Sequence, residues 1–401
     1  MMQILDNEKE QKIMPLFRLA FRPFFLAASA FSVIAMVVWA LFWAGLLGNS
    51  QLMYSNPLWW HSHEMLIGFT GAIIIGFLLT AVQNWTGNPG VRGAKLAAIF
   101  VLWLAARVGL LLGQPHIIWM VIDLSWIPLA AYFLAKPIIV RRQWNNLFFT
   151  PLLILLTVIN AAMHLNVLGF AQFDQHQLTL ALVTVISVIV LVVGGRVIPF
   201  FTWRGTDTEQ ITRPEKIEWL ALIPSWLLLL NVLLPVPEAI NQYSLPALFI
   251  ITGLTNLIRF ARWRTFSTCK VPLLWSLHFA YAAMVVGLLL LGVHYAGGPV
   301  GYSSALHFVT VGGMGGMILA MMARVSLGHT GRNLKVGRLI VGAFIIMIGC
   351  VLVRTVFIML LPAMVLNGYI ISAVLWALAF GIFTIVYFPI LTKPRLDGRP
   401  G

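Results

Sequence analysis

Two histidines and a glutamate stand at the entrance to a long apolar run. In the segment WWHSHEML, residues 59–66, His61, His63 and Glu64 are followed at once by a stretch to residue 91 that carries no charged side chain. Imidazole binds haem iron and copper, and a carboxylate can orient an imidazole by accepting its second N–H group. The pattern indicates a metal or cofactor site at the mouth of a helix. A histidine held by hydrogen bonds as a packing residue is the alternative.

The spacing of the two histidines limits how they can act together. Residues i and i+2 of a helix point roughly 200° apart, so His61 and His63 would serve two centres, or one would be structural, if both are helical. Pro57 favours a non-helical lead-in, and an extended approach would then bring both rings to one side. Both arrangements are consistent with the sequence.

The composition places these side chains in a membrane protein. The chain has 401 residues, of which 60% are hydrophobic and 9% charged, too apolar for a soluble domain of this size. We expect an all-α polytopic protein with about twelve transmembrane helices in one integral membrane domain over 1–401, including a short N-terminal segment at 1–18 and a tail at 392–401. The apolar runs fall near 20–46, 62–83, 95–112, 116–139, 147–168, 177–200, 217–235, 243–260, 272–295, 302–323, 337–361 and 368–391.

The basic residues predict the orientation. Loops near 48–61, 113–115, 169–176, 236–242, 296–301 and 362–367 contain no Lys or Arg, whereas the intervening loops and termini are basic. By the positive-inside rule, both termini should be cytoplasmic. The net charge of +14 then reflects topology, and nucleic-acid binding is not expected because no basic patch with interleaved aromatic residues occurs.

Ionisable side chains inside the spans gather near the predicted outer face. Seven of the nine histidines, including His164, fall on that side. Arg107, Asp123 and Arg354 lie about 9–13 Å from an outer boundary. A charge in hydrocarbon costs several kcal/mol unless it is paired or solvated. An Arg107–Asp123 pair between neighbouring helices is one interpretation; haem, copper or a proton relay would also use such residues.

The tenth span adds His307, followed by Gly312, Gly313, Gly315 and Gly316. Such glycines allow close helix packing, or the approach of a flat cofactor. Met314, Met317 and Met321 form a helical stripe that is more typical of core packing than of a metal site. A shift of 244 residues places His63 on His307 and Thr86-Gly87 on Thr330-Gly331, which suggests an internal duplication.

Depth separates the two remaining histidine candidates. His278 enters its span from the basic side, and its distance in depth from His307 is on the order of 15 Å. The two are therefore not expected to face each other across one haem, and would belong to two centres if both are ligands. With cysteines only at 269 and 350 and no C-x-x-C-H motif, any haem would be a non-covalent haem b.

Several motifs resemble the NnrS family over nearly the whole chain. They are FRPFFL (21–26), WHSHEMLIGF (60–69), NWTG (84–87), GGRVIPFFT (194–202), PLLWSLHFAY (272–281) and HFVTVGGMGGMILAMMARVSLGHTGR (307–332). The resemblance implies a twelve-helix inner-membrane protein that contains haem and copper and is linked to the response to nitric oxide and nitrosative stress. Residues at matching motif positions are His61, His63, His278, His307, His329, Glu64, Arg196 and Arg324.

Roles follow from combining the residues with the resemblance. We expect the haem site among His63, His278 and His307, with Arg107 and Arg354 as propionate partners, and the copper site among His61, His63 and His307. Four residues would have supporting roles. Glu64 would orient an imidazole, Arg196 and Arg324 would anchor at headgroups, and His329 would hold its loop or bind an anion with Arg332.

Three functions fit this set of residues. The first is a haem and copper protein that binds or senses nitric oxide or protects iron centres. The second is an enzyme of the haem–copper oxidase or nitric oxide reductase type, although the H-P-E-V-Y segment and adjacent histidines expected of it are absent. The third is a secondary transporter with an intramembrane His/Arg/Asp site. Whether the protein is an enzyme is left open by the sequence.

Overall fold

The computed structural model describes residues 11–48 and 52–399. Twelve helices in this part of the chain are long and apolar enough to cross a membrane, which confirms the prediction of an all-α polytopic membrane protein. They are α1 (Phe21–Trp43), α2 (Pro57–Thr86), α3 (Ala94–Leu112), α4 (Ile117–Val140), α5 (Trp144–Val167), α6 (Gln175–Gly205), α7 (Glu215–Leu233), α8 (Glu238–Ala261), α9 (Pro272–Tyr295), α10 (Tyr302–His329), α11 (Arg338–Leu360) and α12 (Pro362–Thr392).

The chain folds as two compact units. The first consists of the described residues of Met1–Thr179, Met322–Leu334 and Phe380–Gly401, and the second of Leu180–Met321 and Lys335–Ala379. The single integral membrane domain and the cytoplasmic termini expected from the sequence stay predictions.

Helix α2 begins earlier than the apolar run does. Asn56 caps its start by accepting a hydrogen bond from the Trp59 N–H at 2.8 Å, and Pro57 occupies the first turn, where its missing N–H costs nothing. His61 and His63 are therefore both helical and point to different sides of α2. The extended lead-in that would have joined them on one side is not formed.

Three spans contain a π-helical stretch beside a candidate residue. Glu64–Gly71 of α2 begins directly after His63, Phe308–Gly315 of α10 begins directly after His307, and Val353–Phe357 of α11 includes Arg354. Such stretches interrupt the regular helix ladder and are frequent at functional sites. These stretches lie beside residues that the sequence also predicts as site residues, His63, His307 and Arg354.

The similarity at a shift of 244 residues extends to local structure. Under that shift the π-helical segment Glu64–Gly71 coincides with Phe308–Gly315. Gly87 and Gly331, which follow α2 and α10, both adopt left-handed φ angles, 66° and 70°. Matching backbone irregularities at matching positions support an internal duplication, because neither feature follows from hydrophobicity alone.

The space beside the glycines of α10 is occupied by residues of neighbouring helices. A Cβ atom added at Gly313 would lie 2.9 Å from the Met284 Cβ, and one added at Gly315 would lie 2.5 Å from the Trp376 ring. Met314, Met317 and Met321 are buried. Of the two interpretations of this segment, close helix packing is the one that these contacts support.

Gly313→Ala should destabilise the protein by about 1–3 kcal/mol, since the new methyl group meets both the Cβ and the Cα of Met284 and has no room to move. Thermal unfolding in detergent measures this cost. Gly342→Ala in α11 is the matched control, because nothing lies within 4 Å of a Cβ at that position. Equal melting temperatures for the two variants would contradict the tight contact between α9 and α10.

Candidate functional site

A buried polar network joins four spans of the first unit. Its members have between 0% and 2% of their surface exposed, and they come from α2, α3, α4 and α5. They are His63, Glu64, Arg107, Asp123, Asn160 and His164. Six polar side chains removed from water in a membrane domain require mutual pairing to be stable, and the geometry supplies it.

Arg107 bridges two carboxylates at the centre of the network. Its Nη1 donates to Glu64 Oε2 at 2.5 Å and its Nη2 donates to Asp123 Oδ1. The predicted Arg107–Asp123 pair is therefore confirmed, with Glu64 as a further partner. Gly68 lies one turn after Glu64, and a Cβ there would collide with the guanidinium, so only glycine admits this bridge.

Both ring nitrogens of His63 face acceptors. Nδ1 lies 3.1 Å from Glu64 Oε1, and Nε2 lies 3.1 Å from Asp123 Oδ2 and 2.8 Å from Asn160 Oδ1. The ring stacks on Trp59 with centroids 4.6 Å apart. Glu64 thus lies where it can orient the His63 imidazole, as the sequence suggested. This arrangement suits a ring that donates from both nitrogens, and a metal ion bound at Nε2 would replace the proton there.

His164 completes the cluster around Asp123. Its Nε2 lies 3.2 Å from Asp123 Oδ2, and its buried Nδ1 has no hydrogen-bond partner among the described residues. Asn160, four residues earlier on α5, donates from Nδ2 to the same Asp123 oxygen at 2.6 Å. Neither residue is predicted as a ligand from the sequence. Their i, i+4 spacing opposite a buried aspartate is the signal that would have found them.

Three potential ligand atoms converge at Asp123. One ring nitrogen of His63, one of His164 and a carboxylate oxygen of Asp123 all lie within 4.8 Å of one another. The Nε2 atom of each ring faces Asp123 Oδ2. Two ligands about 2.0–2.1 Å from one tetrahedral ion are about 3.3–3.4 Å apart, close to the 3.1 and 3.2 Å found here. Two carboxylates and one guanidinium also leave one negative charge. A bound cation, or a proton on an imidazole, would neutralise it.

The second unit holds a separate candidate at His307. Its Nδ1 donates to the Ser303 carbonyl oxygen at 2.6 Å, which leaves Nε2 as the unprotonated nitrogen of the neutral ring. A backbone carbonyl on one nitrogen is the usual support for an imidazole that binds a metal through the other. His307 is half-buried, directly before the π-helical segment of α10.

Arg354 contacts the helical turn that precedes His307. Its Nη2 donates to Ser303 Oγ at 2.9 Å, and its guanidinium sits 4.5 Å from the centre of the Tyr369 ring. Its Nη1 is buried without a hydrogen-bond partner in the part of the chain that the structure describes. A buried donor with no partner costs free energy. An anionic carboxylate such as a haem propionate would satisfy it.

A sequence model of the family described as NnrS protein matches residues 15–395. The chain belongs to the NnrS family. No curated protein matches it. Membership supports a multi-pass membrane protein of the response to nitric oxide, and all candidate residues lie within the matched range.

Two further histidines of this NnrS chain occupy different surroundings. His61 stacks on Trp39 with ring centroids 4.1 Å apart, on a different side of α2 from His63. His278 has Nε2 at 2.9 Å from Thr202 Oγ1 and Nδ1 at 3.0 Å from Thr265 Oγ1, so both its nitrogens contact hydroxyl groups. Ligation by His278 would require one of these contacts to break. Its assignment, like that of His61, stays a prediction.

The four candidate arginines of this NnrS chain differ in their burial and in their partners. Arg324 has 6% of its surface exposed and Arg196 is half-buried against neighbouring protein. Their role as anchors at lipid headgroups stays a prediction. Arg107 engages Glu64 and Asp123, so a role toward a propionate would have to displace one of these carboxylates. Arg354 fits that role without such a loss.

The G-H-T-G-R segment of the family holds the C-terminal tail. Arg395 Nη1 donates to the His329 carbonyl oxygen at 2.8 Å, and the Leu396 N–H donates to the Thr330 carbonyl oxygen at 3.3 Å. Asp397 accepts two hydrogen bonds from the Arg395 guanidinium, which lowers the pKa of its carboxyl group below the ordinary value. These contacts are made by backbone carbonyls, and both roles of the His329 side chain stay predictions.

Asp397→Asn should loosen this tail. An exposed ion pair is worth little, so trypsin cleavage after Arg395 at pH 7 should rise by no more than about fivefold. Because the pKa of Asp397 is lowered in the folded protein, the pair persists from neutral pH down to about pH 4 and weakens only in more acidic solution. Mass spectrometry of the released segment measures cleavage, with Asp207→Asn as the matched control.

Proposed function

We propose that this protein is a haem- and copper-containing inner-membrane protein of the response to nitric oxide and nitrosative stress, which binds or senses nitric oxide or protects iron centres. The observation that carries the proposal is the convergence of His63, His164 and Asp123 on one buried point in the first unit. Membership of the NnrS family is the independent support. Both termini would lie in the bacterial cytoplasm.

Copper fits the cluster in the first unit. His63 and His164 would each offer Nε2, Asp123 would offer Oδ2, and Glu64 would hold the other nitrogen of His63. Imidazole and carboxylate together suit a transition-metal ion, and the single negative charge left by the network favours a cation there. Bound copper would supply one-electron chemistry and a coordination position for a small molecule. His61 remains a further candidate ligand.

Haem b fits the residues around His307 in the second unit better than it fits the cluster in the first unit. His307 would bind through Nε2 while its Nδ1–H stays on the Ser303 carbonyl, and Arg354 would neutralise a propionate. Haem iron with an open position binds nitric oxide, and the axial ligand and nearby charges tune that affinity. His278 remains a candidate for a centre at another depth.

Absorption spectra of the purified protein test the haem part, recorded oxidised, reduced, and reduced with nitric oxide. We expect a Soret band that shifts with nitric oxide and that is lost in His307→Ala. His294→Ala is the matched control, because His294 is also half-buried and its Nδ1 lies 2.8 Å from a backbone carbonyl. A colourless, copper-free protein from cells supplied with haem and copper would overturn the proposal.

A secondary transporter is the second candidate, and one observation favours it. Two imidazoles sharing a buried aspartate oxygen resemble a proton site of an ion-coupled carrier. Ion-dependent uptake into proteoliposomes that is lost in Asp123→Asn would support transport. Haem bound at full occupancy would count against it.

A further inference from the structure

Tyr54 lies in the connection from α1 to α2 and contacts the four spans that form the buried network. Its ring packs on Trp59 of α2 and on His164 of α5, with ring centroids 5.3 and 5.7 Å apart. Its hydroxyl oxygen accepts a hydrogen bond from the His116 N–H, directly before α4, at 3.2 Å. Its own N–H donates to the Leu110 carbonyl oxygen in the last turn of α3 at 3.0 Å. One residue of a connecting segment therefore touches the ends of all four helices.

The backbone on either side of Tyr54 is strained. Met53 and Ser55 adopt left-handed φ angles of 71° and 66°, a region that residues other than glycine rarely occupy. The Met53 N–H donates to the Leu111 carbonyl oxygen at 3.0 Å, so the carbonyl groups that end α3 hold this segment. Strained conformations persist where surrounding contacts impose them, and they are frequent at ligand clamps and switch regions. Here the strained backbone places the Tyr54 ring against the network.

The Tyr54 ring separates the network from the protein surface. Tyr54 is buried, and His164 behind it is fully buried. The next residue along the chain, Ser55, is exposed, and so is His116, whose N–H holds the tyrosine hydroxyl. One aromatic side chain of a connecting segment thus lies between exposed residues and the network.

The opposite wall of the network consists of side chains within helices. Trp103 of α3, Trp126 of α4 and Phe24 of α1 are fully buried. The Trp103 indole N–H donates to the Gly68 carbonyl oxygen at 2.8 Å, and the Phe24 ring centroid lies 6.1 Å from that of Trp103 and 6.5 Å from that of Trp126. Because closely packed rings on three helices have little freedom to move, opening this wall would require a helix to shift. The wall formed by Tyr54 can open by movement of its own segment.

We infer that the Tyr54 ring is the movable wall of the first-unit cluster of His63, His164 and Asp123, and that a cation enters and leaves the cluster by displacing this ring. The network favours a cation, because Glu64 and Asp123 against Arg107 leave one negative charge. The His116 N–H acts as a latch on the tyrosine hydroxyl. That the cation is copper rests on the proposed function, whereas the route itself does not.

Diethyl pyrocarbonate measures access to the cluster without a metal, because it acylates the unprotonated nitrogen of a neutral imidazole. His164 is the reporter, since its Nε2 faces Asp123 and its buried Nδ1 has no hydrogen-bond partner in the described part of the chain. Mass spectrometry of peptides from the full-length protein in detergent gives the rate at each histidine. Tyr54→Phe keeps the ring but removes the latch, so the His164 rate should rise about fivefold, as for loss of one neutral hydrogen bond. Tyr54→Ala removes the ring as well and should raise the rate further.

Two controls separate an opened wall from a loosened fold. Tyr132→Ala removes an exposed tyrosine from the same unit and should leave the His164 rate unchanged. The rate at His278, which is buried in the second unit, reports general loosening. A His164 rate that rises in both Tyr54 variants at a constant His278 rate would support the inference. An unchanged His164 rate in Tyr54→Ala would overturn it, and so would an equal rise at His278.

Copper release distinguishes failure of this inference from failure of the proposed function. From Cu(I)-loaded protein, Tyr54→Ala should transfer the ion to bathocuproine disulfonate faster than the wild type, with the same number of ions bound at the start. Copper bound at the cluster and released at equal rates by the two proteins would overturn the inference. Protein that binds no copper, but whose His164 becomes reactive in Tyr54→Ala, would contradict the proposed function and still support the movable wall.

Discussion

Arg107→Met should lower the free energy of unfolding by about 3–5 kcal/mol, the largest effect we expect from a single substitution in this chain. The guanidinium is the cation placed between Glu64 and Asp123, and both carboxylates are fully buried. Removing it leaves two negative charges in a membrane interior, with only the histidines to offset them. Reversible unfolding in mixed micelles with increasing dodecyl sulfate measures the loss.

Two further variants show whether charge is the cause. Adding Glu64→Gln to Arg107→Met removes one of the stranded carboxylates and should recover part of the loss. Arg141→Met is the matched control, because that arginine is exposed, and its effect should stay within about 0.5 kcal/mol. If Arg107→Met were as stable as the control, the network would not be held by ion pairing, and its geometry would need another explanation.

The membrane spans are the part of the fold that the sequence predicts well. Apolar runs and basic loops follow directly from the cost of placing polar groups in hydrocarbon, so twelve helices could be counted without a structure. The depth of a residue along its span also follows from the sequence, which is why a pair between Arg107 and Asp123 could be predicted. The start of α2 was missed by five residues because the Asn56 cap and Pro57 precede the apolar run.

The site was only partly predictable, because the partner of each side chain depends on the orientation of each helix about its own axis. His63 and Glu64 were evident from a polar cluster in an apolar context. Asn160 and His164 were not, since a single amide or imidazole near a span end is common, and only the facing Asp123 gives them a role. Position along a span fixes the depth of a residue in the membrane. The orientation of the helix about its axis decides which side chain that residue contacts.

The π-helical segments lie beyond sequence prediction for the same reason. Nothing in the composition of residues 308–315 distinguishes a π-helix from an α-helix. The glycines there could be interpreted as packing positions or as room for a cofactor, and the side chains of Met284 and Trp376 decide for packing. Such choices depend on tertiary neighbours that the local sequence does not contain.

His164→Ala should weaken metal binding at the first-unit cluster by at least about 100-fold while leaving the fold intact. His164 contributes one hydrogen-bonded nitrogen, and its Nδ1 has no partner among the described residues, so little pairing is lost with the side chain. Loss of a supporting partner alone weakens a metal site by about 10–100-fold, and loss of a ligand should reach at least the upper end. Copper titration calorimetry and elemental analysis of the purified protein measure the change.

His176→Ala is the control for this prediction, because it removes an exposed histidine from the same unit. Glu64→Gln should give an intermediate result, since an amide has one acceptor oxygen and cannot accept from both His63 and Arg107 as the carboxylate does, but all three converging atoms stay in place. Copper bound by His164→Ala with unchanged stoichiometry and affinity would show that the cluster is not the site. The arrangement around Asp123 would then be a buried ion-pair network, its remaining negative charge balanced by a proton on His63, and the search for copper ligands would move to His61 and His307.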